Sequence, residues 1–419
     1  MISTLKNAWR IPEIRKKLIF TAMILLLYRI ANVIPVPFVS DTFESYFNSN
    51  LTTTILGLYN AMSGSALSEA TVMALGIQPY INASIIIQLL CVAIPALERL
   101  SKEGGEDGKK TINKITRYTT VGLGLLLGWA YYVMINNYGF IDAGSVNGIV
   151  AALVIVLTFT AGSCLAMWLG EQITEFGIGN GISMILFANI VARIPSGVSS
   201  MISGFGWWTI LLCVGVAALL VLIVFVNDAE RRIPVQYAKR VVGRKIYGGQ
   251  STNLPIKVAM TGVLPIIFAQ SITSLPATIC TFGGWTSSWV YVNIFSSDTW
   301  VYALVYFLLI FFFSWFYASI QYDPVEISNN MKKNGGFIPG FRPGKPTADF
   351  IQKVINKIVV FGAVYLGIVA LMPIIVGDIA GTSLSIGGTS IIIVVSVALE
   401  TVQALETQLI MRNYKGFLD

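Results

Sequence analysis

Ten apolar runs punctuate this chain, at residues 18–34, 71–94, 118–135, 146–169, 178–194, 207–226, 256–282, 300–322, 354–376 and 389–411. A bilayer core ~30 Å thick is crossed by ~20 mostly apolar residues of helix. In lipid only helices and closed barrels pair their own backbone polar groups, and no run alternates with the period of a barrel strand. The pattern therefore predicts an all-α polytopic membrane protein with ten transmembrane helices. The fifth run is short and follows several glycines. A further stretch, 50–68, fits neither class of segment. Its apolar Ile55, Leu56, Leu58, Tyr59, Met62 and Leu67 are interrupted by Gly57, Asn60, Ser63, Gly64 and Ser65. It is too short and polar to span, yet too apolar for a solvated loop. A re-entrant half-helix shielded by protein is the reading preferred, over an interfacial amphipathic segment.

Charge gives the orientation. Counting Lys257 and Lys357, at the starts of the seventh and ninth runs, with the connections before them, all but two of the 28 Lys and Arg fall before the first run, in the connections after the second, sixth and eighth, or in the tail. With alternating spans these segments share one side, the cytosolic side by the positive-inside rule, so both termini are expected there. The exceptions, Arg29 and Arg193, lie near the outer ends of their runs, where long side chains reach the interface. The connection around Glu171 and Glu175 is acidic and lends no support. Basic residues before the first run also suit a signal peptide, but no A-x-A site follows and nine more runs do, so an uncleaved helix is expected. Ten spans divide into two halves of five, 1–195 and 196–419. An odd number per half makes a duplicated half enter from the opposite side, as an inverted repeat. No residue-level repeat is visible.

Composition narrows the chemistry. Hydrophobic residues make up 55% of the chain and charged residues 12%, about half the ~25% usual in soluble domains. There is no histidine, which excludes HExxH zinc sites, His-containing triads and imidazole relays. Cys91, Cys164, Cys213 and Cys280 lie in apolar stretches without a CxxC pair and read as small hydrophobes. Gly177-Ile-Gly-Asn-Gly181 is a hinge and no phosphate loop; Gly124-Leu-Leu-Leu-Gly128 reads as a close-packing motif. Glu400 is the one acid well inside a run, near its cytosolic end. The second and seventh runs oppose neutral polar groups, Gln78, Asn82 and Gln88 against Gln270, Ser271, Thr273 and Ser274. Such groups form contacts that hold but can open.

Two basic loops exceed what connection requires. Residues 227–255 carry Arg231, Arg232, Lys239, Arg240, Arg244 and Lys245; residues 323–353 set Arg342 among Gly335, Gly336, Pro339, Gly340, Pro343, Gly344 and Pro346. Such Gly and Pro density fixes a turn path, and a guanidinium at its tip suits carboxylate or phosphate. Both loops are candidate docking surfaces for an anionic partner. At this point an ion-coupled transporter and a membrane-embedded enzyme remain as alternatives to a channel.

Five stretches resemble the SecY family, the central subunit of the protein-secretion translocon: Ile34-Pro-Val-Pro37, Ala74-Leu-Gly-Ile-Gln-Pro-Tyr-Ile-Asn-Ala-Ser84, Trp168-Leu-Gly-Glu-Gln-Ile-Thr174 with Gly177–Ser183, Arg231-Arg-Ile-Pro-Val-Gln-Tyr-Ala-Lys-Arg240, and Gly336-Phe-Ile-Pro-Gly-Phe-Arg-Pro-Gly344. The resemblance implies a non-enzymatic channel, without cofactor or metal, that passes unfolded polypeptide across the cell membrane and releases apolar segments into lipid. It implies an aliphatic pore ring at Ile77, Ile81, Ile182, Leu186, Ile267 and Ile393, and a plug at Ile55, Leu56, Leu58, Tyr59, Met62 and Leu67. A lateral gate would lie between spans two and seven, with Asn82, Gln270 and Ser271 at polar positions. Arg244, Lys245 and Arg342 would dock a ribosome or motor. The implied partners are SecE, SecG, the motor ATPase SecA, the ribosome, translocating precursors and membrane lipids. Gln78, where an apolar residue is usual, and Leu186 depart from the family pattern.

Overall fold

The computed structural model describes residues 6, 8–51, 55–102, 104–142, 144, 146–203, 207–237, 240–242, 245–247, 251–259, 262, 264–282, 289, 299–380 and 388–415. Helix α1 (Pro12–Ala31) begins with proline in its first turn, where the missing N–H leaves no bond unmade. Its buried face is Ile14, Thr21, Ile24 and Tyr28. Two short helices follow, α2 (Thr42–Asn50) and α3 (Ile55–Ser63), and then α4 (Gln78–Ala93), which bends by 106° into α5 (Pro95–Lys102). Helices α6 (Gly105–Asn137), α7 (Gly148–Phe176), α8 (Gly181–Ser203) and α9 (Trp207–Asp228) complete the first part of the chain.

Strands β1 (Glu230–Tyr237), β2 (Arg240–Val242), β3 (Lys245–Tyr247) and β4 (Ser251–Lys257) come next, then α10 (Leu264–Phe282), α11 (Trp300–Gln321), α12 (Pro324–Lys333), β5 (Gly336–Phe337), α13 (Lys345–Ala380) and α14 (Gly388–Lys415). A helix overlaps each of the ten apolar runs. Among the described residues, five helical stretches are long and apolar enough to cross a membrane, or six with the bent α4–α5 pair counted as one. The protein is a mostly helical, polytopic membrane protein.

The strands correct the all-α expectation. In β1, Ile233 and Val235 are buried while Arg232, Pro234 and Gln236 are exposed, the two-residue period of a half-buried strand. A reading weighted toward the loop's charge passes over that alternation. β4 and β5 flank β1 in an antiparallel sheet, with Ile233 opposite Leu254 and Gln236 opposite Phe337. Its apolar face packs on Ala318 of α11, on Ile338, and on Ile351, Ile355 and Val359 of α13, so the two basic loops share one small core.

Helix starts also move. The second run becomes helical only at Gln78, because Gly76 takes a positive φ of 53° and the segment before it is tied to the end of α1. The Val72 N–H donates to the Ile34 carbonyl at 2.9 Å, and the Val36 N–H to that of Ala70 at 3.1 Å. The seventh run loses its first residues to β4, where Ile256 is buried in the sheet core. Helix α8 begins after Gly179 (φ 74°) and continues past residue 195 to Ser203.

Small residues set how closely the helices approach. A Cβ at Gly181 would lie 1.8 Å from the Gly170 carbonyl oxygen, so α7 and α8 meet backbone to backbone. Gly162 stands in the same relation to Val72, again at 1.8 Å. The Gly124 and Gly128 pair of α6 packs against α7, with added Cβ atoms 3.3 Å from Thr160 and from the Val156 carbonyl. That close fit is what the sequence motif predicts.

Candidate functional site

Aliphatic side chains from four helices share one large apolar core. Ile77 caps α4 and Ile81 lies one turn on; Ile182 and Leu186 lie one turn apart on α8; Ile267 comes from α10 and Ile393 from α14. All six belong to one apolar cluster, five of them buried and Ile182 partly so. Met62, near the end of α3, and Ala66 belong to the same cluster, together with residues of α1, α7, α11 and α13. Residues on one helix at i, i+4 share a face, which is why each pair projects in one direction.

The re-entrant segment is helical over α3 and continues through turns to residue 77. Leu56, Tyr59 and Leu67 do not join Met62. They pack instead in a second cluster with Phe43 and Phe47 of α2, Tyr131 of α6 and Phe159 of α7. The side chains of Ile55 and Leu58 lie outside the described residues.

Polar groups fasten this segment to its surroundings. Asn189 Nδ2 on α8 donates to the Met62 carbonyl at 2.8 Å and to the Tyr28 hydroxyl at 3.0 Å. Asn32 Nδ2 donates to the carbonyls of Ser63 and Gly64, each at 3.3 Å, and an Arg29 Nη to Gly64 at 3.4 Å. Tyr131 hydrogen-bonds the Leu67 carbonyl, and Gln78 Nε2 stands 3.8 Å from the Met62 sulfur. The last carbonyls of a helix have no partner within it, so they take donors from elsewhere. Just outside, on the turn after the segment, partial burial and then Glu44 push the Glu69 carboxyl above its ordinary range, with Arg29 pulling it back.

Helices α4 and α10 pack together. Asn82, Gln270 and Ser271 are buried at or beside this seam. Gln270 Oε1 and Ser271 Oγ have no hydrogen-bond partner among the described residues. Buried polar groups without partners cost free energy where they sit, so they add no bond that would hold the helix pair closed. Ser274, a turn further along α10, reaches the re-entrant helix through its hydroxyl, 3.3 Å from the Tyr59 phenol oxygen.

Of the docking candidates, Arg244 lies outside the described residues, as does the side chain of Lys245, whose backbone begins β3. Arg342 is exposed on a loop whose path is fixed locally. Gly335, Gly340 and Gly344 all take positive φ, the Thr347 hydroxyl donates to the Arg342 carbonyl at 2.8 Å, and that of Ser328 to the Gly344 carbonyl at 2.8 Å. Sequence reading passed over Tyr28, Asn32, Tyr131 and Asn189. The signal available was Asn189 itself, an amide in the middle of an apolar run.

The SecY family model matches residues 71–402. The chain belongs to the SecY family. Curated SecY proteins align with it end to end. The protein translocase subunit SecY of Streptomyces galbus is 44% identical, and that of Corynebacterium glutamicum 41%, each over 100% of both chains. Among solved structures, a protein-conducting channel superposes with a TM-score of 0.66 at 19% identity, covering 93% of this chain and 91% of the other. Canine Sec61 in a ribosome–channel complex gives 0.62 at 18% identity over the same shares, so the fold is common to both. As a SecY protein, the chain is a channel subunit of the protein translocase and not an enzyme.

Proposed function

We propose that this SecY protein opens and closes its conduit at the six-residue aliphatic ring, with residues 55–67 as the plug and the α4–α10 seam as the lateral exit. The observation that carries the reading is that Ile77, Ile81, Leu186, Ile267 and Ile393, with the partly buried Ile182, share one apolar core with Met62. Aliphatic side chains offer no fixed hydrogen-bond or charge preference, so they close around many polypeptide sequences, while a narrow apolar neck excludes water and ions. A seam with unpartnered polar groups supports sideways release of apolar segments into lipid.

The ten helices overlapping the apolar runs support ten spans in two halves, 1–195 and 196–419, arranged as an inverted repeat. The distribution of Lys and Arg supports cytosolic termini in the plasma membrane. The docking surface is the folded unit of β1, β4, β5 and the Arg342 loop, together with Arg244 and Lys245. SecA, or the ribosome that the canine relative carries, would bind there, with SecE and SecG as small companion subunits. A photo-crosslinker in place of Ile81 or Ile182 should capture a precursor halted in transit. A halted chain that reaches only lipid-facing positions would overturn the reading.

A further inference from the structure

We propose that Arg29, Asn32 and Asn189 are positioning residues for gating, a donor clamp on the carbonyls of Met62, Ser63 and Gly64 that keeps the plug seated until water enters the pore. The inference rests on reading residues 55–67 as the plug. Met62, Ser63 and Gly64 close helix α3, where backbone carbonyls have no partner within the helix and carry its partial negative charge. At membrane depth an unpaired carbonyl is costly, since no water is present to replace a lost donor. The clamp supplies a donor to each of the three, from α1, from the residue capping it and from α8.

Gly64 makes the close approach possible. Its φ is +70°, and a Cβ there would lie 2.7 Å from an Arg29 Nη and 2.9 Å from Asn189 Oδ1. The Ser65 N–H closes the turn onto the Asn60 carbonyl at 3.0 Å, the left-handed ending that many helices use. Asn32 and Asn189 are buried, and the Oδ1 of each has no partner among the described residues. Both amides therefore act here as donors.

The clamp couples plug and ring through water. While the ring is dry, unseating the plug strands three carbonyls and the donors facing them. Once a precursor parts the ring, water satisfies both sides, and the hold falls to the small net value of an exchanged hydrogen bond.

The test is the resting ion leak of the assembled channel complex in vesicles. Asn189→Ala and Asn32→Ala should each raise it by about threefold to tenfold, the weight of one or two hydrogen bonds. Neither should add to the leak once residues 55–67 are deleted. In a channel whose ring is already wetted by Ile81→Ser and Ile267→Ser, the same substitutions should change little. A leak left unchanged by Asn189→Ala and Asn32→Ala, while the deletion raises it, overturns the clamp and leaves the plug standing. A deletion that itself leaves the leak unchanged overturns the plug reading. If Asn189→Ala fails to assemble, Asn32→Ala decides alone, because it removes donors to Ser63 and Gly64 without touching α8.

Discussion

Tyr59 on the re-entrant helix and Ser274 on α10 meet through their hydroxyls at 3.3 Å, so the segment read as the plug is bonded to one side of the seam read as the gate. The phenol also faces Thr278 and Asn82, which places it between α4 and α10. Removing the phenol oxygen in Tyr59→Phe keeps the ring's packing and deletes this tie. The net weight of one such bond is about 0.5–1.5 kcal/mol, or twofold to tenfold in an equilibrium. The variant should open more readily, seen as export of precursors with weakened signal sequences rising by that factor. Unchanged export would separate Tyr59 from gating.

The ring carries a second prediction. Ile81, Leu186 and Ile267 come from three helices and are almost completely buried. Replacing all three with Ser introduces hydroxyls where the neck is dry, and wetting is what an apolar constriction resists. Conductance of the resting channel in planar bilayers should rise at least tenfold, while precursor transport continues. A seal that survives all three changes would move the constriction elsewhere in the bundle.

The helices were legible because ~20-residue apolar runs admit few alternatives in lipid. The ring was not legible from periodicity. Each of these aliphatic residues resembles any other packing residue, and only resemblance to a family singles the six out. Two features escaped for physical reasons. Ile233 and Val235 alternate with Arg232 and Gln236, but the pattern is short and lies in a charged loop. Asn32 and Asn189 matter through the backbone carbonyls they reach, and those carbonyls belong to a segment more than 100 residues away from Asn189 in sequence. A linear pattern does not carry that relation.

Glu69 provides a test of the outer turn. Its carboxyl is held above the ordinary 4.5 by partial burial and by Glu44, against the pull of Arg29. Below pH 4.5 the group is neutral in both folded and unfolded chains, so its contribution is fully present. It is lost as pH rises through the raised folded value, because ionisation then favours the unfolded chain. Glu69→Gln should leave the melting temperature unaltered near pH 4 and raise it by about 1–2 °C at pH 7, a small effect because the side chain is only partly buried and solvent screens it. A variant less stable than the parent at pH 7 would mean that attraction to Arg29 dominates.

Ile351 of α13 is completely buried beneath the β1–β4 sheet with Ile233 and Val235. Truncation to Ala leaves a cavity in a small core, and such changes cost about 2–5 kcal/mol. The expected outcome is faster protease cleavage within residues 227–255, with the membrane helices still assembled. Loss of the entire bundle would show that the sheet is needed for insertion and is more than a surface held on α11 and α13.

Arg342 is exposed at the end of a turn that three positive-φ glycines shape, and it pairs with no carboxylate among the described residues. A guanidinium held out in this way is free for a partner's carboxylate or phosphate. Arg342→Glu reverses the charge without disturbing the Thr347 bond, which uses only the backbone carbonyl. Motor- or ribosome-driven transport should fall at least tenfold while the complex assembles normally. Arg342→Lys should fall between the two, because lysine keeps the charge but loses the planar fork. Gly340→Ala, at a φ of 88°, adds strain of about 1–2 kcal/mol and should displace the loop, reducing transport while the arginine remains. Full transport in Arg342→Glu would remove this loop from the docking surface and leave the segment from β2 through β3, with Arg244 and Lys245, to carry it.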